Sequence, residues 1–142
     1  MRDLNEAHII ELLNLIDFRG GNFIKAVDQF EHYDAENFDN IVEIKVRYQD
    51  YDKHIIERFK YERNIEHSLN TGRKFYYVVN YNEYLYVWDI NYLDSINYNY
   101  YWKTKKLAKT TYFKNNNEIP KVVGYLEKHF ALIINLKTAK LI

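Results

Sequence analysis

The segment Ile41–Arg47 constrains the fold of this chain more than any other, because polar and apolar side chains alternate along it. Successive side chains of a strand point to opposite faces, so this alternation predicts a β-strand. Turn-forming Asn and Asp residues occupy much of 36–40, just before the strand, and residues 29–35 resemble another strand. The sequence therefore predicts a β-hairpin over residues 29–47.

Three charged side chains share one face of the predicted strand, namely Glu43, Lys45 and Arg47. If the hairpin folds about residues 38–39, the numbers of opposing residues sum to 77. Asp34 then faces Glu43, with the two Cβ atoms about 5 Å apart. Two carboxylates at this separation repel each other unless a cation lies between them. The hairpin therefore indicates a divalent-metal site, with exposed charges on an edge strand as the plain alternative.

A hairpin that carries Asp and then Glu-x-Lys, with a glutamate-bearing helix before it and a helix and strand after it, resembles the PD-(D/E)XK nuclease superfamily. Within that superfamily, the small size is most similar to the junction-resolving endonucleases of phages and archaea. The resemblance covers about residues 4–90. Asp34 matches the first metal carboxylate of the family, Glu43 the second and Lys45 the catalytic lysine. Tyr33 stands before Asp34 in place of the proline of the family motif.

The helix glutamate of the family has two candidates, Glu6 and Glu11. Apolar residues follow Glu6 at the spacing found in the resolvases, whereas Asn14 occupies the first such position after Glu11. Glu6 is therefore preferred, and Glu11 stays open as the alternative.

The resemblance implies a Mg²⁺ or Mn²⁺ cofactor bound by the carboxylates of Asp34, Glu43 and Glu6 and by the carbonyl of Ile44. Carboxylate and carbonyl oxygens are the ligands that Mg²⁺ takes in proteins. The implied catalytic residues are these three acids and Lys45, which would orient or deprotonate a water and stabilise the transition state.

The chain has 142 residues, one proline and no evident linker, which favours a single domain over residues 1–142. We expect a nuclease core over about residues 4–90 and a basic, aromatic C-terminal extension over about 91–142. The expected fold class is α/β, with a mixed central β-sheet flanked by helices, and the resemblance narrows this to a restriction-endonuclease-like core. The absence of cysteine excludes disulfides and thiolate metal sites.

Three elements are expected before the hairpin. They are an amphipathic helix from Leu4 to about Ile16, a turn at Gly20 and Gly21, and a first strand over Phe23–Val27. After the hairpin, Asp52 is expected to cap a second helix that ends at Thr71 and Gly72. The expected apolar stripe of this helix consists of Ile55, Ile56, Phe59 and Leu69.

The expected strands of the C-terminal half cover Phe75–Val79, Tyr84–Ile90 and a short segment at Tyr98–Trp102. Residues 103–118 are expected to form a loop, and the form of Val122–Leu136 stays open.

Charge is distributed unevenly although the net charge is zero. Residues 1–45 carry four basic and ten acidic groups, a balance of −6, whereas residues 101–142 carry nine and two, a balance of +7. This asymmetry favours an acidic, metal-binding part and a basic, phosphate-binding part, with solvated surface as the plain alternative. The candidate DNA-contacting residues are Arg47, Lys60, Lys103, Lys105, Lys106 and Lys109.

The function expected on these grounds is that of a metal-dependent DNA endonuclease with branched or Holliday-junction DNA as its favoured substrate. Symmetric cleavage of two strands needs two active sites, so a homodimer is expected. The alternatives are a non-catalytic DNA-binding or assembly protein on the same fold, and an RNA or single-strand nuclease. No run approaches the ~20 apolar residues of a membrane helix, so we expect a cytoplasmic protein with no membrane partner, or a phage-encoded one in its host cell.

Overall fold

The computed structural model of this chain describes residues 6–15, 19–26, 32–108, 118–138 and 140–141. The helices of these residues are α1 (Glu6–Asn14), α2 (Arg58–Thr71) and α3 (Ile90–Ser95), and a 3-10 turn covers Lys128–Phe130. The strands are β1 (Ile24–Lys25), β2 (Ala35–Glu36), β3 (Asn40–Arg47), β4 (Lys53–Glu57), β5 (Lys74–Tyr81), β6 (Tyr84–Asp89), β7 (Lys103–Ala108), β8 (Glu118–Glu127), β9 (Leu132–Asn135) and β10 (Lys140–Leu141).

The larger of two sheets has the strand order β1-β2-β3-β5-β6-β9-β10. β3 and β5 run parallel over their whole length, and all other neighbours in this sheet are antiparallel. Parallel neighbours need a crossover connection, which here consists of β4 and α2. The predicted α/β class with a mixed sheet and flanking helices is confirmed.

The smaller sheet is antiparallel, in the order β4-β8-β7. Pro120 of β8 lies opposite Lys106 of β7, whereas β4 pairs with β8 only from Val123 onward. A proline has no N–H to donate, and at this position it has a strand neighbour on one side only. Of the strands after residue 100, β7 and β8 belong to the smaller sheet, whereas β9 and β10 belong to the larger sheet.

β3 is buried on both faces of the larger sheet, which accounts for its many apolar residues. On one face Val42 and Ile44 belong to an apolar cluster with Ile9 and Leu13 of α1. On the opposite face Ile41 joins a cluster built from β4, β5, β6, α3 and β8. The face of β3 that carries Ile41 is therefore enclosed by the smaller sheet and the helices.

The predicted register of the hairpin is confirmed. The β2–β3 pairs are Ala35–Val42 and Glu36–Ile41, whose numbers sum to 77. Asn37 closes the turn, because its side-chain oxygen accepts hydrogen bonds from the backbone N–H groups of Asp39 and Asn40. The strand before the turn is shorter than predicted, and residues 27–31 lie outside the described part of the chain.

Glycines with positive φ lie at the predicted turn and at the end of α2, whereas α1 already ends at Asn14. Gly20 has φ +101°, and a Cβ there would lie 2.6 Å from the backbone nitrogen of Asp39, so only glycine fits. Gly72 has φ +77° and caps α2 by donating its N–H to the carbonyl of Ser68.

The predicted N-terminal helix is confirmed over Glu6–Asn14, with Ile9, Ile10 and Leu13 buried. Leu4, Ile16 and Val27, which the predictions included, lie outside the described residues. The predicted first strand is present only as the two residues of β1.

The prediction that a helix begins at Asp52 is wrong. Residues 53–57 form β4, and α2 begins at Arg58 after Glu57 in an extended conformation. His54 and Ile56 are buried one strand repeat apart while β4 pairs with β8, so this distant pairing overrides the local helical pattern. Phe59 and Leu69 of the expected apolar stripe are 57% and 75% exposed.

The predictions for residues 98–118 are also wrong in part. Tyr98–Trp102 is irregular rather than a strand, and the residues expected to form a loop begin with β7. The lysines of β7 gave no apolar alternation, and only pairing with β8 makes the segment a strand. Residues 109–117, including the candidate Lys109, lie outside the described part of the chain.

None of the described helices is long and apolar enough to cross a membrane.

Candidate active site

β3 places Glu43 and Lys45 on the face of the larger sheet that is enclosed by α2 and the smaller sheet. Glu43 lies opposite Tyr77 of the parallel neighbour β5. The hydroxyl of Tyr77 donates to the carbonyl of Ile55, which ties β5 to β4. Glu43 is 1% exposed, so a carboxylate is held almost entirely away from water. A buried carboxylate is stable only with charged or hydrogen-bonding partners.

Two lysines provide these partners on one oxygen of Glu43. The Nζ of Lys45 lies 3.2 Å and the Nζ of Lys60 3.0 Å from Oε1 of Glu43. The other oxygen, Oε2, is buried and has no hydrogen-bond partner among the described residues. Burial of Lys60 opposes its charged form, but the charge and the hydrogen bond of Glu43 raise its pKa above the ordinary value. The site therefore holds two ammonium groups and one unused carboxylate oxygen.

Asp34 lies immediately before β2, at the edge of the same site. Its carboxylate accepts a 2.6 Å hydrogen bond from the N–H of Ile44, and its own N–H donates to the carbonyl of Val42. Because N–H and C=O of one strand residue point to the same side, the Ile44 carbonyl is also directed toward the Asp34 edge. Asp34 thus lies one residue before the first β2–β3 pair, and its side chain extends along β3 to the backbone of Ile44.

The pKa of Asp34 is raised to about 7. Burial is the largest cause, the charge of Glu43 adds to it and that of Glu6 contributes further, while the Ile44 N–H and Lys45 act in the opposite direction. A carboxyl group that is difficult to ionise at neutral pH is stabilised by a bound proton or by a nearby cation.

Glu6 stands in the first turn of α1, and its charge reaches Asp34. Glu11, the alternative from the sequence, is exposed on the same helix. The structure thus brings together the charges of four predicted site residues, which are Glu6, Asp34, Glu43 and Lys45.

A metal ion is implied by the two crowded carboxylates and by the resemblance, and the donor types agree with it in part. Two carboxylates and a strand carbonyl are oxygen ligands of the kind Mg²⁺ takes, and the partnerless Oε2 of Glu43 is a free donor in a buried place. As placed, however, no three Asp, Glu or His side chains of the described residues are grouped closely enough to hold a metal ion. Both lysines contact Oε1 of Glu43, which leaves Oε2 as the oxygen that a cation would use.

The predicted DNA-contacting residues do not lie in one place. Lys60 contacts Glu43 inside the site. Arg47 ends β3. Burial lowers the pKa of His54, and the positive charge of Arg47 adds to this shift. Lys103, Lys105 and Lys106 are exposed on β7, an edge strand of the smaller sheet.

Two features of the structure were not predicted from the sequence. Glu57, at the end of β4, pairs with Lys121 of β8 at 2.6 Å, and Lys45 and Lys60 are close enough to act on its pKa. Burial raises the pKa of Glu57, but these lysines, chiefly Lys121, bring it below the ordinary value. The sequence separation of Glu57 and Lys121 leaves no local signal for this contact.

The second unpredicted feature is an aromatic pocket beside β7, and its one sequence signal is the run Tyr100-Tyr101-Trp102-Lys103.

The chain matches no protein-family model, no curated protein and no solved structure. Its function is therefore inferred from the residues of the site alone.

Proposed function

We propose that this protein is a metal-dependent nuclease that hydrolyses phosphodiester bonds in DNA, with a PD-(D/E)XK-type active site on a restriction-endonuclease-like core. The observation that carries the proposal is the buried Glu43, whose Oε1 is held by Lys45 and Lys60 while Oε2 has no partner among the described residues. The protonation-prone Asp34 lies beside it. If Glu43 served only in a structural ion pair with the lysines, the fold would not need the carboxylate of Asp34 beside it.

A divalent cation, Mg²⁺ or Mn²⁺, would be held by Asp34, Glu43 and the Ile44 carbonyl, with Glu6 approaching from α1. Such a cation, when bound, activates a water and offsets negative charge on the phosphate. Asp34 and Glu43 also repel each other, so the cation would relieve an unfavourable contact of the free protein.

The two lysines act on the phosphate. A phosphate that enters the site competes with Glu43 for the ammonium groups of Lys45 and Lys60, which lie on the same carboxylate oxygen. Lys45 is the nearer candidate for orienting the attacking water, since it comes from the same strand as Glu43. Lys60 holds the phosphate from α2. Fixed positive charges of this kind stabilise the transition state in an enclosed site, where water screens them little.

Branched DNA is the proposed substrate, in line with the resemblance to the junction-resolving endonucleases. Symmetric cleavage of a junction requires two sites, which a homodimer with twofold symmetry would supply. The proposed place of action is the cytoplasm, including that of a phage-infected host cell.

A second candidate is a non-catalytic nucleic-acid-binding protein with the same fold. The specific observation in its favour is that Lys45 and Lys60 already compensate Glu43, and that no three acidic or His side chains of the described residues are grouped as metal ligands. In that case the lysines and carboxylates only stabilise the core.

Incubation with linear, nicked, single-stranded and four-way DNA, and with RNA, tests the proposal. We expect cleavage in Mg²⁺ or Mn²⁺, fastest for four-way DNA, and none in EDTA. Binding without cleavage of any substrate in either metal would favour the second candidate.

A further inference from the structure

An open pocket of about 490 Å³ lies at the start of β7, outside the candidate active site. Its lining consists of Lys53, Tyr101, Trp102, Lys103 and Tyr125. Tyr101 and Tyr125 thus bring two aromatic rings close to two ammonium groups, and Trp102 completes the lining. The Nζ of Lys103 lies 5.2 Å from the centre of the Tyr125 ring, and that of Lys53 lies 5.8 Å from the Tyr101 ring.

One lining residue, Trp102, is held in place by the fold. Trp102 stacks on Tyr100 at 4.9 Å between ring centres, and the guanidinium of Arg58 lies over its indole. A Cβ at position 124 would come within 2.8 Å of the Trp102 ring, so Gly124 allows the indole to lie against β8. Packing therefore fixes Trp102, with its indole on the face of β8 opposite to Tyr125.

Tyr101 forms the exposed side of the pocket in an unusual backbone conformation. Its φ is +53°, a region that residues other than glycine rarely adopt, and its side chain is 63% exposed. The side chain of Asn99 accepts a hydrogen bond from the Tyr101 N–H and supports this turn. Backbone strain that presents an exposed ring is a feature typical of functional sites.

We propose that this pocket binds an unpaired base of a nucleic-acid strand, with the adjoining phosphates on Lys53 and Lys103. Aromatic rings offer flat surfaces for base stacking, and the lysines match the phosphate charge while repelling cationic ligands. Lys53 also lies 3.4 Å from Glu127, an exposed pair that a phosphate can replace. This proposal rests on the proposed nuclease function for the identity of the bound strand. It adds that the substrate has single-stranded character.

The position of the pocket fits this role. Lys53 and Glu57 point to the same face of β4, because they are an even number of residues apart. Four residues of strand span about 13 Å, so Lys53 and Glu57 lie about that far apart along β4. Lys121, paired with Glu57, and Lys103 share that face across β8, so basic groups mark a path from the pocket toward Lys45 and Lys60.

Fluorescence anisotropy of a labelled twelve-nucleotide oligo(dT) and of a duplex of equal length, both in EDTA, tests the inference. The variant is Tyr101→Gly, which removes the ring and relieves the positive φ, so it should fold at least as well as the parent chain. The control is Tyr92→Ala, which removes an exposed tyrosine from α3 outside the pocket.

We expect Tyr101→Gly to weaken single-strand binding by roughly tenfold and duplex binding by less than about twofold, with no change for Tyr92→Ala. Equal losses for both DNA forms, or no loss for the single strand, would overturn the inference. Because EDTA excludes cleavage, the outcome is separate from the nuclease proposal. A normal single-strand affinity in Tyr101→Gly, in a protein that cuts DNA in Mg²⁺, would defeat the pocket alone, and a selective loss in a protein that cuts nothing would defeat the nuclease alone.

Discussion

Lys60 of α2 places its ammonium group 3.0 Å from the buried carboxylate of Glu43 on β3. This contact joins the crossover helix to β3 of the larger sheet across the candidate site. Lys45 contacts the same oxygen, so the carboxylate has one partner from its own strand and one from the helix.

Replacing Lys60 by Met should destabilise the metal-free protein by about 1–3 kcal/mol, because Glu43 then keeps a single charged partner in a buried place. The control is Glu62→Gln, which breaks an exposed ion pair with Arg58 on the same helix and should change stability by less than about 1 kcal/mol. Urea unfolding in EDTA measures both. Equal effects of the two substitutions would mean that the Lys60 contact is only a surface pair.

Asp34 should make the metal-free protein less stable as the pH rises. Its pKa in the folded state, about 7, lies above the ordinary value of 3.8, so its contribution to stability is complete below pH 3.8 and is lost as the pH rises through 7. Asp34→Asn keeps an acceptor for the Ile44 N–H but cannot ionise. The variant should therefore gain stability relative to the parent chain between pH 5 and pH 8, as followed by urea unfolding in EDTA.

The same pair of proteins tests the metal ligands. Mg²⁺ at pH 8 should raise the melting temperature of the parent chain and have little effect on Asp34→Asn. An identical Mg²⁺ effect in both would place the ion elsewhere.

Gly124→Ala should destabilise the protein by about 1–3 kcal/mol, since the new methyl group would meet the Trp102 ring at 2.8 Å. In a Trp102→Leu background the same change should have a smaller effect, because only the contact with the Cβ of Tyr100, also at 2.8 Å, then remains. Thermal or urea unfolding of the four proteins gives the coupling between the two positions. Additive effects would show that the indole does not require the glycine.

Lys105 and Lys106 should bind DNA phosphates without regard to sequence if β7 forms the basic surface. Changing both to Gln should reduce the slope of log affinity against log salt by about 0.9 for each phosphate group that the variant no longer binds. Lys137→Gln, an exposed lysine that follows β9, serves as the control. A salt titration of duplex binding in Ca²⁺ decides the matter, and an unchanged slope would leave β7 as ordinary solvated surface.

The hairpin could be predicted from sequence because its signals are local. The alternation of β3 and the Asn-rich turn fix the register, and the register brings Asp34 and Glu43 together. The roles of Lys60 and Lys121 depend on contacts between distant segments, and β4 takes its form from pairing with β8 rather than from its own helical pattern. The aromatic pocket likewise exists only once β7 and β8 pair.

The cleavage rate of Lys45→Ala in Mg²⁺ tests the central claim most directly. Four-way DNA is the substrate, Lys137→Ala is the control, and circular dichroism verifies the fold of each protein. If Lys45 acts on the transition state, Lys45→Ala should cut at least ~10²-fold more slowly than the parent chain while it still binds DNA, and Lys137→Ala should cut at the parental rate. A Lys45→Ala protein that cuts as fast as the parent chain would contradict the account.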